Sequence, residues 1–199
     1  MKKVQKSRIV ETKPLKISLA RKFVFEFESI EGAGQSALIK SLSDKLNEKY
    51  DNVKIYSEPY NKDIINIKEN NSLAIALYIA DRYYHIQKIL KSPPGIYLLD
   101  RYIFSTFVFQ GIKANESEDL FMRKAQREFE RPDLIFFIDR PTNQCLKKEQ
   151  ILSVLTKERE LYLKYLIGNS ITKIINGELP DEVIINQIYN YIDSLVSAV

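Results

Sequence analysis

Short apolar runs alternate with longer segments of helical spacing along most of this chain. The runs lie at residues 23–27, 53–56, 96–99, 134–138 and 171–175, and each of them predicts a β-strand. Their nearly continuous apolar character is typical of strands that are buried on both faces. Between the runs, apolar residues recur every three or four positions and predict helices at residues 36–50, 72–90, 105–110, 115–130, 142–148, 152–167 and 181–196.

The regular alternation of strands and helices predicts an α/β fold, with a five-stranded parallel sheet and helices on both faces. Residues 21–199 form a single predicted domain, because no repeat or linker interrupts them. Residues 1–20 are polar and basic and predict an arm with a short edge strand at 17–20. We also expect a helical turn at 64–67 and an N-cap at Ser72.

Composition narrows the class of protein. Of the 199 residues 45% are apolar and 28% are charged, which is ordinary for a globular domain. The net charge of +4 is spread along the chain and predicts no nucleic-acid partner, and no apolar run is long enough to predict a membrane span. The single Cys145 excludes an intrachain disulfide and fits a reducing, cytoplasmic compartment. The single His85 excludes a metal site built from several histidines.

A glycine-containing turn joins the first predicted strand to the first helix. Strand, glycine loop and helix are the context of a phosphate-binding loop, in which backbone N–H groups surround an anion at the helix N-terminus. Compared with the consensus G-x-x-x-x-G-K-[ST], Gly34 and Ser36 match, Ser29 replaces the first glycine and Gln35 replaces the lysine. This stretch alone is compatible with a phosphate loop and with a turn that binds nothing.

Charged residues stand where predicted strands end and inside one apolar helix. Asp100 and Arg101 follow the third strand, where a carboxylate can hold hydrated Mg²⁺ and an arginine can bind phosphate, or the two can form a structural ion pair. Arg82 lies in an apolar helix and needs an anion or a carboxylate, which its neighbour Asp81 cannot supply from the next helical position. Tyr78, one turn earlier on the same face, suits either stacking on a base or core packing.

Five segments occur in the order and spacing of the thymidylate kinase family, a nucleoside-monophosphate kinase branch of the P-loop NTPases. FESIEGAGQS at 27–36 resembles the family's F-E-G-x-[DE]-G-x-G-K-[ST], and DRYIFSTFVFQG at 100–111 resembles D-R-Y-x-x-S-x-x-A-Y-Q-G. The shorter matches are EP at 58–59, LYIADR at 77–82 and RPDL at 131–134. The resemblance covers residues 22–197.

This resemblance implies a homodimeric kinase that transfers a phosphoryl group from ATP to dTMP with Mg²⁺, under a short lid at about 140–158. The residues it makes catalytic are Arg101, Glu31, Gln35 and Lys148. Those it assigns to ATP are Glu31, Gly32, Ala33, Gly34, Gln35, Ser36, Ala37, Lys148, Asn176, Gly177, Glu178 and Leu179. Those it assigns to dTMP are Glu58, Pro59, Tyr60, Tyr78, Arg82, Arg101, Tyr102, Ser105, Thr106, Phe109 and Gln110. Ser36 and Asp100 are its implied metal residues.

Several positions depart from the family pattern. Gln35 replaces the loop lysine, residues 141–158 contain no arginine, and Phe109 replaces a tyrosine. Since phosphoryl transfer depends on positioned positive charge, these changes predict slower chemistry unless Arg101 or the lid lysines compensate. Two alternatives therefore stay open: a catalytically weak or inactive nucleotide-binding homologue, and a kinase for another (deoxy)nucleoside monophosphate.

Overall fold

The computed structural model describes residues 15–61, 71–112, 115–145 and 152–199. Its strands are β1 (Lys22–Glu28), β2 (Val53–Ser57), β3 (Gly95–Asp100), β4 (Leu134–Asp139) and β5 (Thr172–Asn176). Its helices are α1 (Gln35–Lys49), α2 (Asn71–Lys91), α3 (Ile103–Gly111), α4 (Glu116–Arg127), α5 (Thr142–Cys145), α6 (Leu152–Leu166) and α7 (Asp181–Ser197). None of these helices is long and apolar enough to cross a bilayer.

The five strands form one parallel sheet in the order β2-β3-β1-β4-β5, which confirms the predicted fold class. β1 lies at the centre, and Phe27 near its end is in register with Asp100 at the end of β3. The carboxyl ends of these two strands therefore meet at one edge of the sheet. Ligands of open α/β sheets bind at this edge, so the topology brings the glycine loop and the Asp100–Arg101 pair together.

Two apolar layers cover the sheet. On one face, α1 and α7 pack against the strands through rows of residues such as Leu38, Leu42 and Ile188. On the other face, α2, α3 and α6 cover Tyr97, Leu99 and other strand residues. Because both faces are covered, the strands carry apolar side chains at nearly every position, as their sequence predicted.

The largest differences from the sequence-based predictions occur at the ends of elements. α4 ends at Arg127 rather than at residue 130. Ser72 lies within α2 and its hydroxyl donates a hydrogen bond to Glu118, so the predicted N-cap is wrong. The predicted edge strand at 17–20 is reduced to one isolated bridge between Ile17 and Tyr50. The helical turn predicted at 64–67, and the residues of the predicted lid between 146 and 151, lie outside the described residues.

Candidate active site

The loop between β1 and α1 forms the wall of a cavity of about 340 Å³. Gly32 and Gly34 have φ values of 83° and 76°, in a region that only glycine enters cheaply. The carbonyl of Gly34 accepts hydrogen bonds from the N–H groups of Ala37 and Leu38 and so begins α1. The cavity therefore lies at the positive end of a helix dipole, where an anion is stabilised. The cavity is lined by residues 29–37, Asp100 and Arg101.

Gly32 packs so closely on α5 that a side chain does not fit. A Cβ added to Gly32 would lie 2.3 Å from the carbonyl oxygen of Cys145, whereas one added to Gly34 would meet nothing within 4 Å. Changing either glycine to alanine costs about 1–2 kcal/mol of backbone strain, but only Gly32→Ala must also move the loop away from α5. We expect Gly32→Ala to weaken ADP binding about tenfold more than Gly34→Ala in calorimetric titrations, which corresponds to about 1.4 kcal/mol. Equal losses would contradict a role for packing on α5.

Arg101 lies between this cavity and a second one. Its φ of 74° is uncommon for a residue with a side chain, and such strain is concentrated at functional sites. Its Nη1 lies 3.2 Å from the carbonyl oxygen of Ser29, 3.3 Å from Ser105 Oγ and 3.2 Å from the Tyr162 hydroxyl. These acceptors are neutral, and among the described residues no carboxylate forms an ion pair with Arg101. Its positive charge is therefore available to a bound anion.

The second cavity has a volume of about 420 Å³ and shares Glu31 and Arg101 with the loop cavity. It contains the residues that the sequence assigned to dTMP, except Tyr60 and Tyr102, which do not line it. Its lining consists of Glu31, Glu58, Pro59, Tyr78, Arg82, Arg101, Ser105, Thr106, Phe109 and Gln110. The hydroxyl oxygen of Thr106 is buried and has no hydrogen-bond partner in the described part of the chain. A polar group without a partner, facing a cavity of this size, is suited to binding a polar ligand.

Arg82 is held by groups outside its own helix. It is 3% exposed, and its Nε donates to the carbonyl oxygen of Tyr102 at 2.7 Å and lies 3.0 Å from Glu58 Oε2. Its guanidinium carbon lies 5.5 Å from the centre of the Tyr78 ring. The predictions that Arg82 needs a carboxylate and shares a face with Tyr78 are confirmed. The Asp81 carboxylate instead accepts hydrogen bonds from the backbone N–H groups of residues 60 and 61, and these bonds hold the loop after β2 in place.

Glu28 organises the groups around Arg101. This fully buried carboxylate accepts the N–H groups of Tyr102 and Ser105 at 3.0 and 3.1 Å. It also accepts the Ser105 hydroxyl at 2.6 Å and the Tyr162 hydroxyl at 2.9 Å. Because both hydroxyls contact Arg101, Glu28 fixes that guanidinium without touching it.

Sequence reasoning gave no site role to Glu28, Glu158 or Tyr162. Glu28 carried a signal, because it is a charged residue at the end of a mostly apolar strand. Glu158 Oε2 accepts the N–H of Glu31 at 3.1 Å. Burial raises the pKa of Glu158, while the bond from Glu31 opposes that rise. Glu158 and Tyr162 lie on α6, whose pattern of apolar and polar residues resembles that of any surface helix.

Ser36 and Asp100 form the oxygen pair that the sequence assigned to a metal. Ser36 Oγ donates to Asp100 Oδ2 at 2.6 Å at the start of α1. The described residues contain no group of three or more His, Cys, Asp or Glu side chains that could hold a metal ion. A hydroxyl and one carboxylate fit Mg²⁺, which takes oxygen ligands and commonly relies on substrate phosphates and water for the remainder.

The predicted ATP residues are only partly brought together. Asn176 and Glu178 line a separate cavity of about 580 Å³ with Asp139 and Arg159, rather than the loop cavity. Gly177 packs on Arg140, where a Cβ would lie 2.7 Å from backbone atoms. Leu179 packs against the core layer of α1 and α7. Lys148 lies outside the described residues.

Comparison with known proteins is consistent with this geometry. The family model described as Thymidylate kinase matches residues 27–193. A probable thymidylate kinase of Sulfolobus acidocaldarius is 30% identical over 197 residues, which cover 88% of this chain and 98% of that protein. A probable thymidylate kinase of Sulfurisphaera tokodaii is 29% identical over 69% of this chain and 79% of its own length. The thymidylate kinase of Leptospira interrogans serovar Lai is 29% identical over 73% of this chain and 82% of its own. The chain therefore belongs to the thymidylate kinase family.

Proposed function

We propose that the protein transfers the terminal phosphoryl group of ATP to dTMP, giving ADP and dTDP. The observation that carries this proposal is that Arg101 and Glu31 line both the loop cavity and the second cavity. A donor phosphate in the first cavity and an acceptor phosphate in the second would both lie beside the Arg101 guanidinium. Phosphoryl transfer depends mainly on such positioning and on charge stabilisation.

The second cavity supplies the acceptor contacts. Arg82 and Arg101 would bind the acceptor phosphate, and Tyr78 would stack on the base. Thr106 and Gln110 would hydrogen-bond polar edges of the base, which is supported by the buried, unpartnered hydroxyl of Thr106. Phe109 lines the same cavity and stacks with Arg101, whose guanidinium carbon is 4.8 Å from its ring centre. Its apolar ring would exclude water from the acceptor.

Ser36 and Asp100 would hold Mg²⁺ together with the nucleotide phosphates. When bound, this cation offsets the negative charge that builds up on the transferring group. The N–H groups of the glycine loop would bind the donor phosphates at the N-terminus of α1. Glu158, through the N–H of Glu31, would keep the loop in place between the two nucleotides.

The acceptor assignment is tested by binding rather than by turnover. In calorimetric titrations with nucleoside monophosphates we expect dTMP to bind more tightly than UMP or dCMP, because the chain matches the thymidylate kinase family. The two arginines would contact a phosphate that all three nucleotides share, so the preference must come from the base and sugar contacts. A coupled assay of ADP release over the same monophosphates measures which of them is phosphorylated. A preference for another monophosphate would make the protein a kinase of that nucleotide, and no detectable binding would remove the acceptor-site assignment.

A second candidate function is nucleotide binding with little or no turnover. It is favoured by Gln35, which brings no charge to the loop, and by the absence of arginine from residues 141–158. The same two measurements separate the candidates. Tight dTMP and ATP binding without ADP release above the buffer rate would support this second function.

We also propose that the protein is a cytoplasmic homodimer. Its neighbouring helices α2 and α4 expose large apolar side chains, among them Tyr83, Leu120 and Phe121, which are about half exposed or more. Exposed apolar residues grouped on adjacent helices are typical of surfaces that bind another chain. The free, buried Cys145 fits a reducing compartment. Sedimentation equilibrium tests the dimer, and a monomer at micromolar concentration would exclude it.

A further inference from the structure

The side chain of Gln35 is directed into the protein. It is the first residue of α1 and 4% exposed, and its Nε2 donates to the carbonyl oxygen of Phe27 at 3.0 Å and to Asp100 Oδ1 at 2.7 Å. Both partners are acceptors, which determines that the amide nitrogen and not the oxygen faces them. Both amide hydrogens are therefore used inside the protein. The amide hydrogens of Gln35 are thus not available to an ATP phosphate, although the family resemblance assigns this residue to ATP.

These bonds immobilise the Asp100 carboxylate. Gln35 binds its Oδ1 and Ser36 binds its Oδ2, so two successive residues of α1 hold both oxygens. The same amide bonds Phe27, which is the register partner of Asp100 on β1. Gln35 thus connects β1, β3 and the start of α1 at the point where all three meet.

We propose that Gln35 is a positioning residue that orients Asp100 toward the Mg²⁺ of the bound nucleotide, and that it does not act on the donor phosphates. This inference rests on the proposed kinase function. Partners that hold a metal-binding carboxylate in place tune the affinity for the metal, and their loss typically weakens binding by about 10- to 100-fold.

The lack of charge on the glutamine side chain is part of this role. An ammonium group 2.7 Å from Asp100 would neutralise the carboxylate and compete with a cation for it. The amide supplies the same hydrogen bond and leaves the full negative charge of Asp100 for Mg²⁺. In place of a fixed cation, the loop therefore has an amide that holds the Asp100 carboxylate in position for Mg²⁺.

The test is Gln35→Met, which keeps the length and burial of the side chain but removes its donors. We expect this variant to fold, since Phe27 still accepts the N–H of Arg101 at 3.1 Å and Asp100 still accepts Ser36. Mn²⁺ serves as the probe, and its binding to the protein–ADP complex is measured by electron paramagnetic resonance. We expect about 10- to 100-fold weaker Mn²⁺ binding in Gln35→Met, with ADP binding in the absence of metal unchanged. In activity assays more Mg²⁺ should be required, and high Mg²⁺ should restore most of kcat.

Gln87→Met on α2 is the matched control, because it makes the same chemical change away from both cavities. Unchanged Mn²⁺ affinity in Gln35→Met would overturn the proposal, and so would a loss of metal-free ADP binding, which would mean that Gln35 contacts phosphate. Mn²⁺ binding is measured without any acceptor, so it does not depend on which monophosphate is phosphorylated. A wild-type protein that does not bind ADP would instead contradict the proposed function itself.

Discussion

Replacing Arg101 with alanine is expected to lower kcat/KM for dTMP phosphorylation by about 10³-fold or more, the usual value of an arginine at the transition state of phosphoryl transfer. Among the residues that the structure describes, Arg101 is the cationic residue that lines both cavities. Its side-chain hydrogen bonds go to neutral groups. In this chain the loop position usually held by lysine is neutral, so less charge remains to compensate for its loss. Steady-state kinetics over a range of dTMP and ATP concentrations measure the effect.

One further variant separates the charge of Arg101 from its geometry, and another serves as the control. Arg101→Lys keeps the charge but loses the fixed fork of the guanidinium, and we expect it to retain part of the activity. Arg123→Ala removes an exposed arginine that pairs with Asp119 on α4, and we expect wild-type kinetics. The Arg101 side chain also contacts Ser29, Ser105 and Tyr162, so its removal can affect folding. Circular dichroism of each variant checks that it is folded. A loss below tenfold in a folded Arg101→Ala protein would rule out Arg101 as the principal cation.

The fold was predictable because its signals are local. Five apolar runs separated by helical segments require a covered parallel sheet, and the carboxyl ends of parallel strands must share one edge. Arg82 was predictable for a related reason. An arginine in an apolar helix needs an anionic partner. Asp81 cannot be that partner, because adjacent side chains on a helix do not face each other. The partner must therefore come from another element, and in the structure it is Glu58.

The side-chain network behind the site was not predictable from sequence spacing. Glu28 and Tyr162 are 134 positions apart, and their 2.9 Å hydrogen bond exists only because α6 crosses the end of β1. Gln35 shows the same limit. Its position in the loop indicated a role toward phosphate, but its direction is set by Asp100, which comes from another strand. Motif position predicts where a residue lies, whereas the tertiary partners decide which way it points.

Glu26 is a buried acid for which the proposed chemistry has no use. It lies in the central strand with no exposed surface, and neither carboxylate oxygen meets a donor in the described part of the chain. Burial raises its pKa well above the ordinary value, and the negative charges of Glu28 and Glu58 raise it further. The Glu26 carboxyl group therefore keeps its proton to a higher pH in the folded protein than in the unfolded chain.

This shift makes the stability of the fold depend on pH. The unfolded chain releases the Glu26 proton near pH 4.5, whereas the folded chain holds this proton to a higher pH. Between the two pKa values the unfolded state binds fewer protons, so raising the pH favours unfolding, by up to about 1.4 kcal/mol per pH unit. The stabilisation is complete below pH 4.5 and is lost as the pH rises toward the folded pKa.

Glu26→Leu is accordingly expected to stabilise the protein at neutral pH by about 1–3 kcal/mol, because it removes a buried polar group that lacks a donor. Urea unfolding curves between pH 5 and pH 8 measure this difference, which should grow with pH as the wild type loses stability. Glu26→Gln separates the two causes. It cannot ionise, so it should share the flatter pH profile of Glu26→Leu, but it keeps a buried polar group and should gain less stability. The contrary result would be free energies of unfolding of wild type and Glu26→Gln that change in parallel between pH 5 and pH 8. Ionisation of Glu26 would then not contribute to stability in this pH range, and the gain in Glu26→Leu would come from packing alone.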